Sequence, residues 1–563
     1  MSEFVYYSPD KLEFPLNESI KIVDDPKKVN DFFMISNSKE VKAEVYAPEI
    51  NFYIKNSQDE IADMIKNVEI LYEIRGIKLD LATDFENEKK IGNKLLIVGQ
   101  KEQMLEFEEL LGDDFDLYFA GSESVVSIEG TIGDLIVKLN RNGKITPLSV
   151  DQMVWFDANT KEAFKQNGVY DPLIDGIEEV AKKLRDNIEH FKYKKAINYN
   201  PDICQYKGRK TEDGGDICGD CANICPTNAI LKVDEKKELS FSDIDCETCG
   251  GCVSVCPSGA LDLAATPREY IYEASNLLKD HIILVIPEVM DMENLKVSLP
   301  KKVLPLVIGG RKFLHEAHFI SLFQQSGAQV VFYTDFVSKG TVSALDMVNE
   351  ISQRKYGKEM VLVAKSQNEL ERVLSEAEFI DNSRYSINEI GLNKREIFAA
   401  RLSRLVGEDD LGVYENKDEY IHYGKVVINE SNCTLCLSCV GACNVKALTA
   451  HPEDNSLRFN ASICTDCTYC EVVCPEENCL EVVRDKFELK KESFKQVIMA
   501  RDELFKCVEC GKEFAPRKAV EKIAKMMIPM FNGDEAKIRT LYCCETCKAK
   551  VMLKFLIKGD TNQ

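Results

Sequence analysis

The chain has 563 residues, 45% hydrophobic and 29% charged, with a formal net charge of -23. That is enough apolar content for ordinary cores and enough length for about four folded units. The acidity opposes nucleic-acid phosphates, no apolar run reaches about 18 residues, and the opening Met1–Tyr7 lacks the basic and apolar regions of a leader, so the expectation is a cytoplasmic protein with no nucleic acid and no membrane insertion.

Residues 1–200 hold no cysteine and read as an N-terminal α/β or α+β domain with a helical linker. Strand patterns cover 93–99 and 115–121, a helix pattern covers 102–111, and strand-like alternation runs over 125–139. Gly99 stands without the further glycines of a dinucleotide fingerprint. Residues 171–200 are charged and read as largely helical.

Residues 201–268 change character. Cys218-x2-Cys221-x3-Cys225-Pro226 is followed by Cys246-x2-Cys249-x2-Cys252-x3-Cys256-Pro257. In a long chain with no leader, 22 cysteines point to metal ligands rather than disulfides. The first of these runs lacks its opening cysteine, since Gly215 stands where it is expected. Cys204 lies upstream, across the polar, glycine-rich segment 205–215. It reads as the missing ligand with a loop inserted behind it; the competing reading is a free buried cysteine.

Residues 269–385 again lack cysteine and read as an α/β domain. Apolar runs at 282–287, 303–308, 330–334 and 360–364 alternate with helical stretches, which predicts a parallel sheet. Gly309-Gly310-Arg311-Lys312 reads as a tight turn ahead of an anion site. His315 and His318 stand three apart, not four as in the zinc-hydrolase motif, and read as structural or surface histidines. Residues 386–430 form a predicted helical connector.

Residues 431–485 carry the complete pattern: Cys433-x2-Cys436-x2-Cys439-x3-Cys443, then Cys464-x2-Cys467-x2-Cys470-x3-Cys474-Pro475. The seven cysteines of 218–256 map onto it at one offset of 218 residues. Asn444 replaces the usual proline and restores an N–H that can aim at a sulfur. Cys479 reads as a small buried filler beside a cluster.

Residues 486–563 read as a helical tail with zinc-ribbon-like knuckles, Cys507-x2-Cys510 and Cys544-x2-Cys547, around a helix near 518–530. Two such pairs suit one tetrahedral zinc. A fifth iron–sulfur cluster competes, and Cys543 is spare or replaces Cys544. From 481 onward there are 18 lysines and arginines against 13 aspartates and glutamates, so a mildly basic tail follows an acidic body.

On these runs the chain resembles the bacterial two-cluster [4Fe–4S] ferredoxins over 201–265 and 430–485. Such modules hold each cluster by three cysteines of one run and the last cysteine of the other. The resemblance therefore implies four clusters: Cys433, Cys436, Cys439 with Cys474; Cys464, Cys467, Cys470 with Cys443; Cys246, Cys249, Cys252 with Cys225; and Cys218, Cys221, Cys256 with Cys204. More loosely, the run 434–443 together with the C-terminal knuckles is similar to the large cytosolic multi-cluster ferredoxins associated with formate dehydrogenases, which implies a redox partner of that kind. The expected function is an electron-transfer protein or subunit without catalytic residues of its own. The alternatives are a redox enzyme subunit whose cysteine-free domain binds flavin, nucleotide or substrate, and an assembly factor for a redox enzyme.

Overall fold

The run Ile-Ile-Leu-Val-Ile-Pro is apolar at every position, so both of its faces need cover, as in the middle of a parallel sheet. In the computed structural model, which describes residues 4–6, 34–37, 43, 45–156, 165–415, 419–484 and 486–559, this strand is Ile282–Pro287 and every residue in it is buried. Residues 1–3 and 7, part of the opening stretch read for a leader, lie outside the described residues. Val303–Ile308 pairs with one edge of the strand and Val330–Tyr333 with the other; Val361–Ala364 lies beyond, and all four are parallel. Helices Glu316–Ser326, Lys339–Tyr356 and Gln367–Glu376 cover the sheet. Ser338 caps the long helix by accepting from the Thr341 amide, and Gly357 closes it in the left-handed region.

This domain recruits segments the sequence had assigned elsewhere. Helices Pro48–Asn56 and Ile61–Leu81 share its core through Ile50, Phe52, Val68 and Leu71, so they do not belong with the rest of 1–200. Arg75 makes the join: buried, it grips the buried Glu49 with two nitrogens and donates to Glu288 at 2.8 Å, just past the first strand. Helix Lys394–Val406, in the predicted connector, packs on the same core, started by an Asn393–Glu396 capping box.

Residues 91–188 have cores of their own on the two faces of a four-stranded parallel sheet built from Lys94–Val98, Asp116–Ala120, Gln152–Trp155 and Val169–Tyr170. An antiparallel three-stranded sheet, Val125–Glu129, Leu135–Arg141 and Lys144–Val150, packs on one face. Beyond helix Ile177–Asn187 the chain turns to strands Phe191–Lys194 and Ile197–Tyr199, where the charged sequence had suggested helix.

The two cysteine-rich modules share one plan. A hairpin, Ile230–Val233 with Glu238–Phe241, recurs as Leu448–His451 with Ser456–Phe459. A flanking pair, Ile197–Tyr199 with Leu261–Leu263, recurs as Lys425–Ile428 with Leu480–Val483. Val497–Arg501 adds a third strand to the second hairpin, so that module reaches past its sequence boundary at 485. The tail continues with hairpin Leu504–Lys506 and Glu513–Pro516, then helices Arg517–Met527, Glu535–Thr540 and Glu545–Gly559. Among the described residues no helix is long and apolar enough to cross a membrane.

Replacing Arg75 with Ala strands the Glu49 carboxylate inside the protein, and should lower stability by about 3–5 kcal/mol. The double variant Glu49→Gln/Arg75→Met should recover most of that. Urea midpoints followed by circular dichroism measure both; an unshifted Arg75→Ala midpoint refutes the role given to the pair.

Candidate metal centres

Short loops between cysteines bring the sulfurs together. Thr248, Leu435, Leu437, Asp466 and Thr468 all have positive φ, which turns successive backbone N–H groups toward one concave side. Gly250, at φ 79°, takes this conformation where Phe313 would also collide with any Cβ. One-turn helices follow, Asp220–Ile224, Gly251–Val255, Ser438–Ala442 and Tyr469–Val472. Cys225, Cys256 and Cys443 cap the ends of the first three. The helix therefore precedes the last cysteine of a run and delivers it to the neighbouring site.

The thiols collect in four groups. Cys225, Cys246, Cys249 and Cys252 line one cavity; Cys204, Cys218, Cys221 and Cys256 line a second; Cys433, Cys436, Cys439 and Cys474 line a third. Cys443, Cys464, Cys467 and Cys470 gather in the fourth, where burial first, then the charges of Cys467, Cys464 and Cys443, push the Cys470 thiol up. Burial raises Cys246 to about 11 and Cys439 and Cys464 to about 12. Cys221 and Cys252 rise well above the usual thiol value, by burial and then by repulsion from their groupmates. Four such thiolates stay together only around positive charge, which is what a metal cluster supplies. Amide groups also reach the sulfurs: Thr248 to Cys246 at 3.4 Å, Ala260 to Cys256 at 3.2 Å, and Leu448 to Cys443 at 3.5 Å. The amide donating to Cys443 is thus that of Leu448 rather than Asn444.

Cys204 takes its place by strand register. Ile197 pairs with Leu263 and Tyr199 with Leu261, as Val426 pairs with Val482 and Ile428 with Leu480. Cys204 lies five residues past Tyr199, and Cys433 lies five past Ile428. Cys204 is therefore the positional counterpart of Cys433, with 11 extra residues between it and Cys218. Cys479, buried, stands in the wall of the Cys433 group.

Those extra residues touch the other module. Gln205 donates to the Thr465 hydroxyl. Arg209 donates to the Ala442 carbonyl at 2.7 Å and lies over the Tyr469 ring at 5.0 Å. Burial raises the Cys467 thiol, while the Tyr469 amide and the Arg209 guanidinium pull it down. A second tie starts at helix Lys394–Val406. Lys394 donates to the Ser254 and Cys256 carbonyls, both at 3.2 Å; Arg395 donates to Pro257 O at 3.1 Å and His422 O at 3.0 Å and covers the Tyr423 ring. Sequence reasoning missed Gln205, Arg209, Lys394 and Arg395, because nothing local marks a contact made more than 130 residues away.

His315 and His318 are buried and stacked, their ring centroids 3.7 Å apart, and burial holds both far below the usual imidazole value. They are buried and not at the surface. At Gly309–Lys312 the chain bends, and any Cβ on Gly310 would meet Leu263 and the Cys249 and Thr248 carbonyls, so it lets this loop press on the first module.

In the tail, the sulfurs of Cys507, Cys510, Cys544 and Cys547 all lie within 4.8 Å of one another, with Cys510 and Cys544 at 3.7 Å. Four sulfurs about 2.3 Å from one ion stand about 3.8 Å apart, so the set fits one tetrahedral ion; thiolates on four separate irons stand farther apart. Against the effect of burial, amides of Cys544, Glu509 and Cys510 bring Cys507 down to about 6. Cys543 lies outside the set and donates to Arg539 O at 3.2 Å.

Residues 216–260 match the model of a 4Fe-4S dicluster domain, and residues 425–475 match another. The chain thus carries two 4Fe-4S dicluster domains. A protein of Nitratidesulfovibrio vulgaris is 35% identical to it over 106 residues, which are 17% of this chain and 28% of that relative. The chain spans less than a third of the relative's length.

Arg209→Ala leaves the Ala442 carbonyl without this donor and bares Tyr469. Trypsin should then cut at Lys207 and Lys210 about tenfold faster, the loss of one charge-assisted hydrogen bond. An unchanged cleavage rate would mean that this bridge does not hold the loop.

Proposed function

We propose that this protein relays single electrons along four [4Fe–4S] clusters held by the four groups of thiols. The order is the Cys225 group, the Cys204 group, the Cys464 group and the Cys433 group. What carries the reading is the joint made by Gln205 and Arg209 on Thr465, Ala442 and Tyr469, because it sets one dicluster module against the other. Within each module the groups are neighbours: Cys252 feels the charge of Cys256, and Cys470 that of Cys439. Residues of one run serve the neighbouring group, which keeps each pair of clusters close enough for electron hopping.

The partner is an oxidoreductase, and the resemblance to ferredoxins associated with formate dehydrogenases makes an enzyme of that kind the first to test. The cytoplasm is the expected compartment, where thiols stay reduced. Cys507, Cys510, Cys544 and Cys547 hold one structural zinc that folds the tail. Helix Arg517–Met527 then reaches the Cys433 group, where Lys522 pairs with Glu476 and Glu476 accepts from Thr434 at 2.7 Å.

Protein purified without oxygen should contain about 16 iron atoms per chain and about one zinc. About eight iron atoms would remove a whole module from the relay.

Cys443→Ala should abolish the paramagnetic signal of the cluster of Cys464, Cys467 and Cys470 and spare the one that Cys436→Ala removes. Cys204→Ala should convert the cluster of Cys218, Cys221 and Cys256 to a three-iron form on mild oxidation. Four intact clusters in that variant would end the claim for Cys204.

A further inference from the structure

The Cys225 group differs from its sisters in what lies over it. The cavities of the Cys204 and Cys433 groups are walled by their own modules, with about 20 Å³ of free room each. The cavity of the Cys225 group has about 180 Å³. The added wall comes from the parallel-sheet domain: Lys312, Phe336, Ser338 and Lys339. Lys312, Phe336 and Ser338 lie in loops past the carboxyl ends of strands Val303–Ile308 and Val330–Tyr333, and Lys339 opens the helix that follows the second; this is the end at which open parallel sheets take ligands.

The wall has a defined chemistry. Phe336 is 46% exposed, although it borders a cluster pocket. The guanidinium of Arg311 and the ammonium of Lys312 each lie 5.6 Å from its ring centroid. Asp335 sits 3.7 Å from Arg311, and Glu419 sits 3.8 Å from Lys339. Asp243 and Glu247 also line the cavity. Lys312 has no carboxylate partner among the described residues, and its amide is tied to the Cys249 carbonyl at 2.9 Å. An aromatic face and an uncompensated cation are thus anchored to the loop that carries a cluster ligand.

We infer that this cleft binds a small planar redox carrier with an anionic group, its ring against Phe336 beside the cluster and its anion at Lys312. The inference rests on the electron-relay reading and adds where electrons enter or leave. The whole cavity, which the cluster would share, is below the roughly 300 Å³ of sites that engulf a drug-sized ligand, so the carrier is one of one or two fused rings that sits at the rim, on the exposed Phe336. For a quinone ring, two reduced clusters each give one electron and return to the oxidised state. The ring takes both electrons and two protons from water to become the hydroquinone, and no bond to the protein forms.

The test uses the full-length, cluster-loaded protein, reduced and then mixed anaerobically with one of three oxidants. These are 1,4-naphthoquinone-2-sulfonate, uncharged 1,4-naphthoquinone, and hexaammineruthenium(III), a ringless cation that takes electrons from any exposed cluster. Oxidation by the sulfonate should saturate with concentration. Phe336→Ala should raise the half-saturating concentration for both quinones by about tenfold, and Lys312→Met for the sulfonate alone. Oxidation by the ruthenium complex should stay within about twofold in both variants, which also shows that their clusters are intact. Flavin mononucleotide in place of the quinone, saturating at lower concentration, would identify a flavin as the carrier. If the ruthenium complex fails to oxidise the reduced wild type, the relay reading falls. If it succeeds while the sulfonate does not saturate, or saturates at the wild-type concentration in both variants, the relay stands and this site is wrong.

Discussion

Burial and mutual repulsion push the thiols of Cys221, Cys252 and Cys470 far above the range in which thiolates form in water. Holding four such sulfurs together therefore depends on a metal group whose positive charge outweighs both effects. Much else follows from that need. Loops turn their amides inward through left-handed residues, one-turn helices hand the last cysteine to the adjacent site, and N–H groups of Ala260 and Leu448 reach sulfurs from outside the runs. A bound cluster would offset the cost of these backbone conformations, which non-glycine residues rarely adopt.

The parallel-sheet domain acts as the frame for the first module. Gly250 and Gly310 allow backbone-to-backbone approach that a Cβ would block. Lys394 and Arg395, at the start of one helix, bind three carbonyls around Cys256 and one at His422, so the helix grips both sides of the joint. Lys394 also lies 3.1 Å from Glu316, and both side chains are buried. Such pairs contribute little net stability, but removing either partner is destabilising, so they fix arrangement more than they add energy. For a relay the arrangement is what counts, since electron hopping depends on distance.

The cysteine runs were legible because ligand spacing is local: three sulfurs around one site need residues two or three apart, and sequence displays that directly. The strands of the parallel sheet were legible for the same reason, as uninterrupted apolar runs. Cys204 was harder, since its argument depended on absence at Gly215; strand register supplies the missing measure through Tyr199 and Ile428. What stayed hidden is long-range. Helices 48–81 carry no mark that they pack on a sheet more than 200 residues later, and Arg75 reads as one more surface charge until Glu49 and Glu288 are seen around it. Arg209 looked like part of a polar loop. His315 and His318 could not be assigned to surface or interior by spacing, because the helix that carries His318 is buried on every side.

The two ends of the proposed relay face different surroundings. At the Cys433 end Cys436 is exposed, and the covering helix Arg517–Met527 brings Lys518 and Lys522 against Glu430 and Glu476. That helix belongs to the tail with net charge +5, while the rest of the chain carries -28. At the Cys225 end Lys312 and Lys339 line the cavity and Arg311 lies over the ring of Phe336, which also lines it. An acidic body repels anionic partners from most of its surface, and cations placed beside terminal clusters draw them to those places. The range of that steering is about 10 Å at 0.1 M salt, so it selects where a partner lands and not whether it meets the protein. The shape of each end then limits what lands. Beside the exposed Cys436 stands a helix, whereas Cys249 lines a cavity of about 180 Å³. If the relay and the cleft proposed above hold, unlike terminals would let the chain join a macromolecular redox partner to a diffusible one, with the four clusters spanning the distance between them.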